Sequence, residues 1–146
     1  MKFRLPILVV LLTLVWCTAF AGGPTVSASH VWIRTAPDGV HVLSGFLTLE
    51  NHTGKPLKIT SISSPDFKSV DIGAAKMDPQ HAALPLNSVT LPPHKTLTFK
   101  PGGTHLRLVQ PHRKLYEGDM VSLTFNFSDG SSLALLVSVR GQAPTN

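Results

Sequence analysis

The chain has 146 residues, a formal net charge of +5 and one cysteine, Cys17. That length favours one domain, and the scattered cations form no dense block of the kind that grips nucleic acid. A single cysteine excludes both a disulfide framework and a thiolate metal cage.

Residues 1–21 read as an export signal. Lys2 and Arg4 precede an apolar run over 5–15, and Ala19-Phe20-Ala21 has the small-x-small form of a cleavage site. The 17 residues from 5 to 21 fall short of the roughly 20 that a spanning helix uses. A removable signal is therefore expected rather than an anchor, with cleavage after Ala21 and a mature domain over 22–146. The bulky Trp16 argues against lipid attachment at Cys17. The expected location is periplasmic or secreted, with no stable membrane insertion after cleavage. Loss of Lys2 and Arg4 lowers the net charge to +3, ordinary for a soluble protein. Without disulfides the domain must fold on its apolar core, for which ~125 residues suffice.

Beyond the signal, the chain reads as short strands separated by turn residues. A strand is expected over 27–35, a turn at Asp38-Gly39, and a return strand over 40–50 in which Gly45 marks a bulge or a close backbone approach. A polar turn at 51–55 leads to a strand over 57–63. Runs at 89–91, 96–99 and 105–109 are further strands, separated by Pro92-Pro93 and Pro101-Gly102-Gly103. The clearest signal is 121–127. Val121, Leu123, Phe125 and Phe127 face one way, and Ser122, Thr124 and Asn126 the other. An Asp129-Gly130 hairpin turn follows, and Leu133, Leu135, Val137 and Val139 alternate on the return. Phe125 and Leu135 are expected to be buried, Ser122 and Thr124 exposed. No stretch holds a helical period for three turns. Seven to nine short strands imply an all-β domain, a Greek-key β-sandwich or barrel. There is no G-x-S-x-G, phosphate loop or H-E-x-x-H, so no enzyme is expected.

Several phrases, taken in order, resemble the periplasmic copper chaperone family PCu(A)C. Val31-Trp32-Ile33-Arg34-Thr35-Ala36-Pro37 is similar to its opening strand, and Ser44-Gly45-Phe46 through Asn51-His52 to its second. Ile62-Ser63-Ser64-Pro65 matches the phrase before its metal hairpin. Pro101-Gly102-Gly103-Thr104-His105 resembles its Pro-Gly-Gly-x-His, and Leu115-Tyr116-Glu117-Gly118-Asp119 its closing Leu-x-x-Gly-Asp. The resemblance spans nearly all of the mature chain and implies a cupredoxin-like β-fold, in agreement with the strand count.

It also implies Cu(I) held by a His, a Met about ten residues on, and a distant His-x-Met, soft donors suited to a monovalent ion. Carried over residue by residue, the first His falls near Gly73 and the Met near Leu84, while the final pair aligns with His105 and Arg107. Only His105 stands in place. Arg107 brings a fixed cation where a thioether is expected, and the period-2 rule puts it on the same side of the strand as His105. Met77 and His81, in the segment that matches the metal hairpin, are the available helpers across a turn at Asp78-Pro79-Gln80. Their bland alternative is a packed methionine and a solvated histidine. The candidate metal residues are thus His105, Met77 and His81, with copper as Cu(I). The implied partner is a copper-accepting protein such as a cytochrome oxidase subunit.

His30, His41, His52, His94 and His112 lie in separate turns and strands without chelate spacing and read as surface residues. Trp32 reads as core. Asn51-His52-Thr53 and Asn126-Phe127-Ser128 match a glycosylation sequon, a pattern common by chance. Two functions compete. One is a copper chaperone-like protein with a depleted site; the other is a non-metal interaction module on the same fold.

Overall fold

In the computed structural model, residues 23–74 and 89–142 are described. Among them every regular element is a strand: β1 (Val26–Arg34), β2 (Val42–Asn51), β3 (Leu57–Ser63), β4 (Phe67–Gly73), β5 (Thr90–Leu91), β6 (Thr96–Phe99), β7 (His105–Pro111), β8 (Met120–Phe127) and β9 (Ser132–Arg140). The expected strands are all present, with ends displaced by one or two residues. β4 is an addition, because its apolar residues Phe67, Val70 and Ile72 do not alternate strictly.

The strands form one curled sheet in the order β4-β7-β2-β1-β9-β8-β3-β5, with β6 paired to β2. Most neighbours are antiparallel, but β1 and β9 run parallel, with Trp32 opposite Ser138, Ile33 opposite Val139 and Arg34 opposite Arg140. The architecture is all-β, as expected, a half-barrel closed around one core. That core is lined by alternate residues such as Ile33, Leu47, Leu49, Ile72, Leu106, Leu108, Leu123, Phe125 and Val139.

Two bulges change which residues point inward. In β1, Ser29 pairs with Thr48 but Trp32 with Phe46, so three steps on one strand oppose two on the other. His30 absorbs the extra residue with φ 52°, a left-handed conformation that histidine tolerates better than most. Val26 and Ala28 face the core before the bulge, and Val31 and Ile33 after it. In β3 the register shifts between Ile59 and Ser61, and the inward series passes from Leu57 and Ile59 to Ile62.

The β8–β9 hairpin follows the expected alternation with two corrections. Phe125 is buried and Ser122 exposed, but Leu135 is only half-buried and so is Thr124. Leu135 packs against the rim of the core, because Val137 and Val139 lie deeper, beside β1. Thr124 stands between Ser63 of β3 and Ala134 of β9, which shields one side of a residue that still faces outward. Gly45 proves to be a close approach. A Cβ there would lie 3.0 Å from Leu108 Cδ1 and 3.3 Å from Leu106 Cβ. Asn51, expected in a turn, ends β2 and is fully buried.

Candidate metal centre

β7 alternates as its sequence dictates. Leu106 and Leu108 enter the core, which sends His105 and Arg107 to the outer face. β4 lies alongside, with Gly73 opposite His105 and Asp71 opposite Arg107. On the other side Ser44 of β2 is opposite Arg107.

His105 Nδ1 is 2.9 Å from the Gly103 carbonyl oxygen. A carbonyl only accepts, so Nδ1–H donates and the lone pair of the neutral ring belongs to Nε2. This is how a fixed imidazole is prepared to ligate through Nε2. That atom lies 3.1 Å from where a Cβ on Gly73 would stand. The same position is 2.7 Å from Arg107 Cδ and 3.1 Å from its Cγ. Arg107 therefore lays its aliphatic stem across β4 in the space that glycine leaves open, beside the free nitrogen of His105. Among the described residues no carboxylate pairs with Arg107, although Asp71 is its cross-strand neighbour.

The floor beside His105 is aromatic. Phe46 is 6.5 Å from the His105 ring, centroid to centroid, and Trp32 is 4.7 Å from Phe46. Arg34 lies over both, its Cζ 5.6 Å from the Trp32 centroid and 5.3 Å from Phe46. Trp32 is buried as expected, at 4% exposure, but on the outer face of the sheet against Phe46, outside the main core cluster. The β1 bulge is the reason: without the extra residue Trp32 would point in and Ile33 out. Arg34 and Phe46 were not singled out as site residues by sequence reasoning, whereas Asp71 was named as a possible partner of Arg107 and stands opposite it without pairing. Arg34 stands two residues from Trp32, a spacing that marks one face of a strand once the bulge is known.

His105 lies where the fold can present it, whereas Met77 and His81 fall outside the described residues. Among the described residues no group of three His, Cys, Asp or Glu side chains converges on a common point. Met120, the one methionine within the described residues, lies on β8, four strands from β7, or about 19 Å at the usual strand spacing. Among the described residues the donor set at this site is one imidazole, and soft Cu(I) calls for further soft donors.

His52, His112 and His94 serve local structure. His52 Nε2 is 2.7 Å from Ser27 Oγ, and His112 Nδ1–H donates to the Pro65 carbonyl at 3.0 Å. His94 adopts φ 53° in a turn.

This curled β-domain has the fold of PCuAC domains, as known structures show. The copper-bound PCuAC domain from PmoF2 superposes with a TM-score of 0.67 at 23% identity, covering 81% of this chain and 94% of that one. The apo PCuAC domain from PmoF1 gives 0.67 at 26%, over 82% and 95%. CuI-DR1885 from Deinococcus radiodurans gives 0.62 at 23%, over 82% and 78%. The profile of the family described as "Putative lipoprotein LpqE-like" matches residues 26–139, and the chain belongs to that family. No curated protein matches it. Among the described residues no helix is long and apolar enough to cross a membrane.

Proposed function

We propose that this is an exported copper chaperone-like protein that holds Cu(I) weakly at a site centred on His105, with Met77 and His81 as helping donors. The observation that carries the reading is His105 itself. Its Nδ1–H is tied to the Gly103 carbonyl, and its free Nε2 faces the gap beside Gly73. The fold supports it, since two of the similar structures, the PmoF2 domain and CuI-DR1885, are copper-bound. The protein acts after export, in the periplasm or outside the cell, and hands its ion to a copper-accepting protein such as a cytochrome oxidase subunit. It binds and delivers; it catalyses nothing.

Titration of the mature domain with Cu(I) against a competing chelator tests this. Wild type is expected to take up one ion with modest affinity. His105→Ala should abolish binding, and Met77→Ala with His81→Ala should weaken it. Tight uptake of one ion that His105→Ala leaves unchanged would show that the donors lie elsewhere.

A second reading, a non-metal interaction module, is favoured by the seat of Arg107. Its stem fills the space over Gly73 and its guanidinium repels a metal ion. No Cu(I) uptake by folded wild-type protein would select this reading.

A further inference from the structure

The outer face of β7, β2, β1 and β9 carries a row of cations. Arg107 is opposite Ser44, Ile33 opposite Gly45, and Arg34 opposite Arg140. One step beyond the Ile33–Gly45 pair brings Arg34 alongside Ser44, so the row reads Arg107, Ser44, Arg34, Arg140 across four adjacent strands. At the usual strand spacing, Arg34 and Arg140 stand about 5 Å apart and Arg107 about 10 Å from Arg34. Arg34 and Arg140 are exposed, and Arg107 is half-buried.

This row is costly to the isolated fold. Like charges directly opposite on neighbouring strands destabilise a sheet. Among the described residues no carboxylate forms an ion pair with any of the three arginines. Asp71 lies at one end of the row, opposite Arg107. Glu117 lies at the other, its carboxylate engaged by the Gly141 N–H at 3.3 Å. Two of the guanidiniums are nonetheless held in place, Arg34 over Trp32 and Phe46 and Arg140 by donation from Nε to Ser138 Oγ at 2.9 Å. Side chains ordered in advance lose little freedom on binding. On the same face Met120 and Leu136 are 45% and 66% exposed, with Met120 opposite Ser138 and Leu136 opposite Ser122. Exposed arginines beside an exposed methionine have the composition of a protein-binding surface.

We propose that this face docks an acidic segment of a partner protein, whose carboxylates fork onto Arg34, Arg140 and Arg107 while an apolar side chain covers Met120 and Leu136. The match is one of charge: three permanent cations in line with no anion between them, two of them held in place, each shaped for bidentate contact with carboxylate. The surface meets the proposed copper site at Arg107, so the test is placed on Arg34 and Arg140.

The probe is a fluorescein-labelled oligo-glutamate peptide, read by anisotropy at low and physiological ionic strength. Wild type should bind it, more weakly in salt. Arg34→Gln with Arg140→Gln should lower affinity about tenfold or more. Arg140→Gln alone, at the exposed end of β9, should lose a measurable part. Circular dichroism checks that each variant is folded. Lys55→Gln with Lys58→Gln removes the same charge from the β3 region and should leave affinity nearly unchanged. Equal loss in the lysine variant would overturn the proposal, since net charge alone would then explain the binding. So would wild-type protein that binds no peptide. Vesicles of equal phosphatidylglycerol and phosphatidylcholine supply the last arm. Arginine-dependent vesicle binding without peptide binding would assign the face to a membrane and sink the proposal.

Discussion

Gly73 and Arg107 are a coupled pair, and the coupling decides how copper binding responds to substitution. A histidine at 73 would place its Cβ 2.7 Å from Arg107 Cδ, so Gly73→His alone must push the arginine aside. The obstacle is a flexible side chain, so the domain should still fold. The cation would remain beside the new imidazole, and Cu(I) affinity should rise little. Gly73→His with Arg107→Met removes both the obstruction and the charge and adds two soft donors beside His105. The double variant should bind Cu(I) at least about tenfold more tightly than wild type, a gain of ~1.4 kcal/mol, measured by chelator competition. Asn51 makes a different demand. Its Nδ2 donates to the carbonyls of Lys55, Leu91 and Pro92 at 2.8, 3.1 and 3.2 Å. Its Oδ1 accepts from Thr53 N and Thr53 Oγ1 at 2.9 and 2.7 Å. Asn51→Ala should cost about 3 kcal/mol by leaving buried carbonyls unpaired. Asn51→Asp should cost more at neutral pH, because a carboxylate would face three carbonyl oxygens. Chemical denaturation of both variants checks the order. The same burial closes the sequon at Asn51 to any modifying enzyme.

At the scale of elements, the closing hairpin is held by two carboxylates that titrate low. Asp129 accepts from Ser131 Oγ and Ser131 N at 2.6 and 2.9 Å, and these bonds, the side-chain one first, lower its pKa. Asp119 accepts from the Tyr116 N–H and from Arg113, with the backbone bond the larger cause of its lowered pKa. A carboxyl with a depressed folded pKa contributes stability above its unfolded value, near 3.9, and that contribution fades as pH falls through the folded value. The thermal midpoint should therefore fall as pH drops from about 5 to about 2, and Asp119→Asn should flatten that dependence. This hairpin was the most legible part of the sequence, because an Asp-Gly turn joins two runs with period-2 alternation. β4 was not legible, since Phe67 and Val70 are three residues apart and mimic no strand template. The outer-face cluster was hidden by the β1 bulge. Nothing in Ser29-His30-Val31-Trp32 announces an extra residue, yet it decides that Trp32 lies beside Phe46 on the outer face and Ile33 in the core. His105 and Arg107 were legible as one face, because β7 keeps strict alternation between two leucines.

For the whole molecule, the reading of residues 1–21 as a removable export signal sets the charge of the mature domain. A cut after Ala21 would leave a domain of net charge +3, with three arginines gathered on one face of the sheet. Intact-mass spectrometry of protein recovered from the exporting cell should give a chain that begins at Gly22. A chain that begins at a lipid-modified Cys17 would instead agree with the name of the family and contradict the reading of Trp16.

The parallel seam between β1 and β9 governs when the chain can fold. These strands lie at opposite ends of the domain sequence, yet each is the other's neighbour in the sheet. Until the segment Ser132–Arg140 is available, β1 and β8 each keep an unpaired edge, a surface that recruits other chains. A chain threaded across a membrane from its N-terminus would emerge with the seam open and close it only when the last strand arrived. Closure over so long a separation is slow. A chain stopped at Gly130 should fail to fold and should aggregate through those edges. A circular permutant that joins the two ends would need a connection along the length of a strand, about 30 Å for nine residues, because parallel partners finish at opposite ends of the sheet. Any chaperone that guards this protein before the seam closes has two edges to cover, and both belong to the face-forming half of the sheet.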